Sequence, residues 1–165
     1  MPSAPRRHRD GAPTGPVLDS ATHTARQTEL AWLFPHGPGG EQGPLGREAV
    51  WEALAAAAAL RDLTPLSADR SVGLLLARPP FSLANMGRRV ALSVSRRPGG
   101  TLVRATLLHG LLCLQGRAAR VAQLEDVLQA AWLLLERADR ERGEERAARE
   151  RPGAAPDAPP PAGEP

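Results

Sequence analysis

The side chains that could carry acid–base or metal chemistry are few, and they are scattered along the chain. His8, His23 and His36 lie in the N-terminal quarter, and His109 follows an apolar run far from them. No two of these histidines have a spacing that would bring ligands to one metal. Cys113 is the only cysteine, so the chain can form neither an intramolecular disulfide nor a thiolate cluster for zinc. We therefore expect no metal site, and we expect His109 to be a hydrogen-bonded or exposed residue at the end of a strand.

The acidic residues and glycines also lack the arrangements that enzymes use. Asp62 and Asp69 could act as a carboxylate pair only if the fold brought them together, and roles in a turn or at a helix end are favoured. Glu125 and Asp126 are adjacent in a predicted helix, so their side chains diverge. The glycine-rich stretch 37–40 is not followed by the Gly-Lys-Ser/Thr of a phosphate-binding loop. We expect no catalytic residue, no cofactor and no enzymatic activity.

Arginine is the one residue type whose pattern favours binding. The chain has 21 basic residues against 18 acidic ones, and none of the basic residues is lysine. Residues 45–138 carry a net charge of +5, whereas the two flanking segments together sum to −2. A predicted hairpin within this region contains five arginines that could contact phosphates: Arg88, Arg89, Arg96, Arg97 and Arg104. This hairpin has no aromatic side chain on which bases could stack, so binding of nucleic acid or another polyanion is the weaker alternative.

Proline marks the boundaries of the predicted domain. Of the 17 prolines, seven lie within residues 1–44 and six within residues 152–165. We predict a largely disordered N-terminal tail over 1–44, an α+β domain over 45–138, and a charged helix extension with a disordered Pro/Ala-rich tail over 139–165. Within the N-terminal tail, Leu30–Phe34 is an apolar island that either packs back onto the domain or binds another molecule. Packing back onto the domain is favoured.

The sequence contains no segment suited to a membrane. No run of 18 apolar residues occurs, so we expect no membrane-spanning helix and a soluble protein. The arginines near the N-terminus are followed by Gly, Pro and Thr instead of the apolar core of a signal peptide. A cytoplasmic location is the expectation.

Hydrophobic periodicity predicts two helices. Val50 and Leu54 lie on one stripe of a helix over 47–60. A second helix begins near Arg117 with apolar residues at spacings of three and four, and beyond Arg137 opposite charges alternate at helical spacing. The apolar stripe must pack on a sheet, whereas the charged part should continue as a solvated helix. The stripe comprises Val121, Leu124, Leu128, Trp132 and Leu135.

The region between the helices predicts a sheet. Residues 71–77 form a short apolar run typical of a strand. Residues 89–95 and 101–108 each alternate between two faces, and the Gly-rich segment 96–100 supplies the turn of an antiparallel hairpin. The predicted fold class is two-layer α+β: a helix, an antiparallel sheet of three to four strands and a long C-terminal helix, with disordered tails.

Four short motifs follow one another along this region. After the helix segment Val50–Leu54, Asp69–Arg78 leads into the first strand, Ser82–Val90 leads into the next, Gly99–Arg104 forms the hairpin, and Gly116–Val121 starts the closing helix. In this order they resemble a loose group of small bacterial helix/antiparallel-sheet/helix domains of unknown function. The resemblance covers roughly residues 47–135 and implies the same fold. It implies no catalytic residue.

A non-enzymatic interaction or scaffold module is the function that we predict. Its partner is an unknown protein or a second copy of the chain, bound through a sheet face or through the apolar segment Leu111–Leu114. One alternative is binding of nucleic acid or a polyanion through the arginine-rich hairpin. A second alternative is an apolar small-ligand pocket of the helix-grip kind, formed under the closing helix.

Overall fold

The residues that the structure describes fold as an α+β domain of six strands and two helices. The computed structural model describes residues 15–24, 26–36, 45–80, 82, 86–109 and 115–150. The helices of the described residues are α1 (Arg47–Leu60) and α2 (Arg117–Glu150). The strands are β1 (Val17–His23), β2 (Gln27–Pro35), β3 (Thr64–Asp69), β4 (Leu74–Arg78), β5 (Arg89–Arg97) and β6 (Gly100–Leu108).

All six strands form one antiparallel sheet with the order β1-β2-β6-β5-β4-β3. Most neighbours in the sheet are also neighbours in the sequence, but β2 pairs along its whole length with β6. Both helices pack on the same face of the sheet, α1 against β5 and α2 against β2 and β6. The fold therefore has two layers, with a helix-bearing inner face and an outer face.

The hydrophobic core lies between the helices and the inner face. Leu124, Leu128 and Leu135 of α2 are buried, as the spacing of the apolar stripe predicts. The ring of Trp132 lies 5.7 Å from the ring of Phe34 (centroid to centroid), which joins α2 to β2. Beyond this core α2 continues as a helix with every side chain from 139 to 149 exposed, so its charged half is solvated as expected.

The end of α1 is fixed by Asp62, which adopts a left-handed conformation with φ of 55°. The amide of Leu63 donates to the carbonyl of Ala58 at 2.9 Å, and the amide of Asp62 donates to the carbonyl of Ala59 at 3.1 Å. These two bonds form a Schellman motif, which satisfies carbonyls at the helix C-terminus. The helix thus ends three residues earlier than Pro65 alone would require.

The predicted strand count of three to four was too low, because three strands were not recognised. β2 was assigned to the tail, since apolar residues point to both of its faces and no alternation marks it as a strand. β1 and β3 lie at the two sheet edges with six exposed residues each, so neither carries an apolar pattern. The favoured interpretation of Leu30–Phe34 is confirmed: Leu30 and Phe34 belong to the buried core.

The predicted disordered tails are only partly described. Residues 1–14, 37–44 and 151–165 lie outside the described residues, whereas β1 and β2 lie within the predicted N-terminal tail of 1–44 and are ordered strands. Among the residues that are described, no helix combines the length and the apolar character that a membrane crossing requires.

Candidate functional site: the outer sheet face and a polar cluster

The outer face of the sheet carries residues that do not belong to the helix-covered core. Ala31 and Leu102 are buried here, although neither belongs to the core cluster between helices and sheet. Leu33 and Leu76 are half-buried, and Leu74 remains 42% exposed. Large exposed apolar side chains on one face are a common mark of an interaction surface.

Cross-strand register gives this outer face a regular composition. One row runs Ala31–Arg104–Ser93–Leu74 across β2, β6, β5 and β4. The adjacent row runs Glu29–Thr106–Ala91–Leu76 across the same strands. The middle of the face is therefore built from the small side chains of Ala, Ser and Thr residues, together with Arg104 and Glu29.

Two opposite charges stand near the middle of the outer face. Arg104 is exposed, and Glu29 follows in the next row, where its Oε2 accepts a hydrogen bond from the hydroxyl of Thr106 at 3.2 Å. A surface that holds both charges can pair with a copy of itself related by a two-fold axis.

A second group of functional side chains, which we call the polar cluster, lies at one end of the sheet. It consists of His23 at the end of β1, Thr28 in β2, His109 just after β6, and Arg120 in α2. The hydroxyl of Thr28 lies 2.9 Å from Nδ1 of His23 and 3.1 Å from Nε2 of His109. Nη2 of Arg120 lies 2.9 Å from Nε2 of His23.

The polar cluster is largely shielded from water. Thr28 is 1% exposed and Arg120 is 9% exposed, whereas the two imidazoles are half-buried. Desolvation lowers the pKa of His23 below its ordinary value of 6.5, and electrostatic interactions with Arg120, Arg117 and His109 lower it further. Such an environment favours the neutral imidazole.

The spacing of His23 and His109 predicts no link between them, and neither Thr28 nor Arg120 carries a signal in the sequence. His23 lies in the predicted N-terminal tail, and His109 lies at the end of a predicted strand. The pairing of β2 with β6 brings them together, so that their rings lie 6.2 Å apart. The prediction that His109 is hydrogen-bonded or exposed agrees with its bond to Thr28. No local pattern could have revealed the cluster, because its contacts join residues up to 97 positions apart.

The five arginines of the predicted hairpin do not form one patch. Arg88 is 1% exposed and donates to Oε1 of Gln115, so it faces the protein interior. Arg89 and Arg97 occupy the two ends of β5, about 27 Å apart at the usual rise of a strand. Arg104 lies on the outer face between these ends. Arg96 and Arg97 line a shallow depression beside His36 at the β5–β6 turn.

The other predicted candidates have structural roles or fall outside the described residues. Asp62 ends α1, and Oδ1 of Asp69 accepts from the backbone amides of Ser71 and Val72, so the favoured helix-end and turn roles are confirmed. His8, Cys113 and Leu111–Leu114 are among the residues that are not described. In the described ranges no three His, Cys, Asp or Glu side chains gather as metal ligands would.

Comparisons with known proteins add no function to this geometry. No protein-family model matches the chain, and no curated protein matches it significantly. The outer face and the polar cluster are therefore the features that bear on function.

Proposed function

We propose that this protein is a non-enzymatic interaction module that associates with a second copy of itself through the outer face of its sheet. The observation that carries the proposal is the asymmetry of the two sheet faces. Both helices pack on the inner face, while the outer face presents Leu33, Leu74 and Leu76 around a middle of mainly small side chains. Two such sheets can stack face to face at a separation of about 10 Å.

The size of the outer face supports a reversible dimer. Six strands at a spacing of about 4.8 Å span about 24 Å, and six residues along a strand span about 20 Å. Stacking two copies would therefore bury on the order of 1,000 Å² in total, which is close to the lower limit for a specific interface. We expect an equilibrium between monomer and dimer that depends on concentration.

The two opposite charges on the outer face favour a second copy of the chain over a different protein as the partner. In a two-fold arrangement Arg104 of one copy can approach Glu29 of the other, and the reverse contact forms at the same time. Arg104 and Glu29 occupy neighbouring rows of the face, so both contacts fit near a central axis. An all-cationic or all-anionic face would repel its own copy.

The test is the oligomeric state of the full chain, measured by sedimentation velocity over a wide concentration range. The wild-type chain should dimerise, and Leu74→Glu should shift the equilibrium to the monomer because it puts a charge into the apolar part of the face. Leu133→Glu is the matched control, since Leu133 is 53% exposed on α2, away from the outer face. A chain that stays monomeric at the highest concentration contradicts the proposal.

The two alternative functions receive less support. Binding of nucleic acid or another polyanion through the hairpin would need its arginines on one surface, but Arg88 is buried and the others are dispersed along two strands. A helix-grip pocket would need an apolar cavity between helix and sheet, and in the described residues core side chains such as Leu107 and Leu128 occupy this layer. Both alternatives remain untested predictions.

A further inference from the structure

We propose that the polar cluster is a pH-sensitive latch that fastens the β1–β2 hairpin to α2 and opens when His23 gains a proton. The inference is independent of the proposed self-association. It rests on the positions of four side chains from four separate elements: His23, Thr28, His109 and Arg120.

The charge of Arg120 fixes the direction of the hydrogen bonds that His23 makes. A guanidinium group has hydrogen-bond donors and no acceptor, so Nε2 of His23 must accept from Arg120 and carries no proton. The proton of the neutral His23 ring is then on Nδ1, which donates to the hydroxyl oxygen of Thr28. The hydroxyl of Thr28 keeps one hydrogen and one lone pair, and it bonds to Nε2 of His109 through one or the other according to the tautomer of that ring.

A proton added to His23 has a different effect from one added to His109. Protonated His23 would present an N–H to the guanidinium of Arg120, so that two donors and two positive charges face each other at 2.9 Å. Protonated His109 could instead donate to Thr28, whose oxygen has two lone pairs. His23 is therefore the group that opens the latch.

The charged surroundings of His23 act in the same direction. The groups that face it are Arg117 and Arg120 from α2, His109 after β6, and the neutral hydroxyl of Thr28 from β2. Desolvation and the electrostatic interactions with Arg120, Arg117 and His109 all lower the pKa of His23. The latch is closed above pH 6.5 and opens as the pH falls through the lowered value in the folded state.

The β1–β2 hairpin is the part of the sheet that this latch can control. β1 is an edge strand with six of its seven residues exposed, and its pairing with β2 is irregular between Leu18 and Ser20. Few side chains besides His23 can anchor such a strand. Opening of the latch should therefore loosen β1 and leave the central strands intact.

Amide hydrogen exchange of the full chain, corrected for the intrinsic effect of pH, tests the latch. Between about pH 7.5 and about pH 5.5 the protection of β1 should fall about tenfold relative to that of β5. In His23→Gln a neutral amide oxygen can still accept from Arg120, so this variant should keep the protection of β1 constant over the same range. Equal pH dependence in wild type and variant, or none in wild type, would overturn the proposal.

A second measurement does not depend on how well the variant folds. Long-range nitrogen–proton NMR spectra of the imidazoles report which ring nitrogen carries the proton. At about pH 8 the latch requires His23 with its proton on Nδ1 and an unprotonated Nε2. A dominant Nε2–H tautomer of His23 would contradict the assigned direction and with it the latch.

Discussion

Arg120 donates a hydrogen bond from Nη2 to Nε2 of His23 at 2.9 Å, and so connects the N-terminal part of α2 with the last residue of β1. The two residues are 97 positions apart in the sequence. Arg120 is 9% exposed, which is rare for a positive charge. Removal of the Arg120 side chain should therefore lower the free energy of unfolding of the whole domain.

The variant Arg120→Met should lower the free energy of unfolding by about 1 to 3 kcal/mol, because it removes a charged donor from a buried hydrogen bond. Urea denaturation at about pH 7.5 measures this loss. Arg117→Met is the matched control, since Arg117 is an exposed arginine one turn earlier in the same helix. A similar loss in both variants would indicate a general effect of helix charge.

The variant Gly73→Ala should destabilise the fold strongly. Gly73 has a φ of 74°, and an added Cβ would lie 2.5 Å from the backbone oxygen of Val94. One of these two backbone segments would have to move to relieve this contact. Gly99→Ala offers the comparison, because Gly99 has a similar φ of 82° but open space around the added Cβ. Thermal denaturation should give a loss of about 1 kcal/mol for Gly99→Ala and a clearly larger one for Gly73→Ala.

The variant Asp69→Ala should destabilise the β3–β4 turn in a pH-dependent manner. Hydrogen bonds from the hydroxyl of Ser71 and from the amides of Val72 and Ser71 lower the pKa of Asp69 below its ordinary value of 3.8. The stabilisation is therefore complete above pH 3.8 and is lost as the pH falls through the lowered value. The melting temperatures of wild type and variant should differ at neutral pH and converge in strong acid.

Charge reversal on the outer face should separate dimerisation from folding. Arg104→Glu places two acidic residues near the proposed two-fold axis and should weaken the dimer in sedimentation experiments. The double variant Glu29→Arg with Arg104→Glu restores opposite charges and should recover the dimer. Circular dichroism should be unchanged in all three chains. Failure of the second substitution to restore association would count against the proposed arrangement of the two copies.

The variant Phe34→Ala tests whether the N-terminal hairpin belongs to the core. Phe34 is fully buried against Trp132, so truncation should cost about 3 to 5 kcal/mol. Leu60→Ala is the control, because Leu60 is 62% exposed and its loss should be nearly neutral. Equal stability of the two variants in urea would mean that β2 does not contribute to the folded domain.

Sequence patterns predicted the elements in which one face is buried and the other is solvated. The alternation over β5 and β6 and the stripe on α2 are of this kind, since Val90, Leu92 and Leu124 all point into the core. β2 has buried residues on both faces, so its pattern resembles an apolar island. β3 buries no residue at all, and nothing in its composition distinguishes it from a loop.

The polar cluster could not be predicted from the sequence, for a different reason. Its members are ordinary residues in separate segments, and only the pairing of β2 with β6 makes them neighbours. The hairpin arginines show the converse. Arg89 and Arg97 are close in sequence, but β5 holds them at its opposite ends, and Arg88, just before the strand, is buried.

The pairing of β2 with β6 also delays the folding of β2 while the chain is being synthesised. Thr28 and His109 are 81 residues apart, so β2 leaves the ribosome long before its main partner exists. At about 5 to 20 residues per second, the wait lasts on the order of 4 to 16 seconds. During that interval Leu30 and Phe34 stay exposed, because the strands and the helix that bury them have not yet been synthesised. A nascent chain stalled at this stage should therefore be a good substrate for chaperones that bind apolar segments.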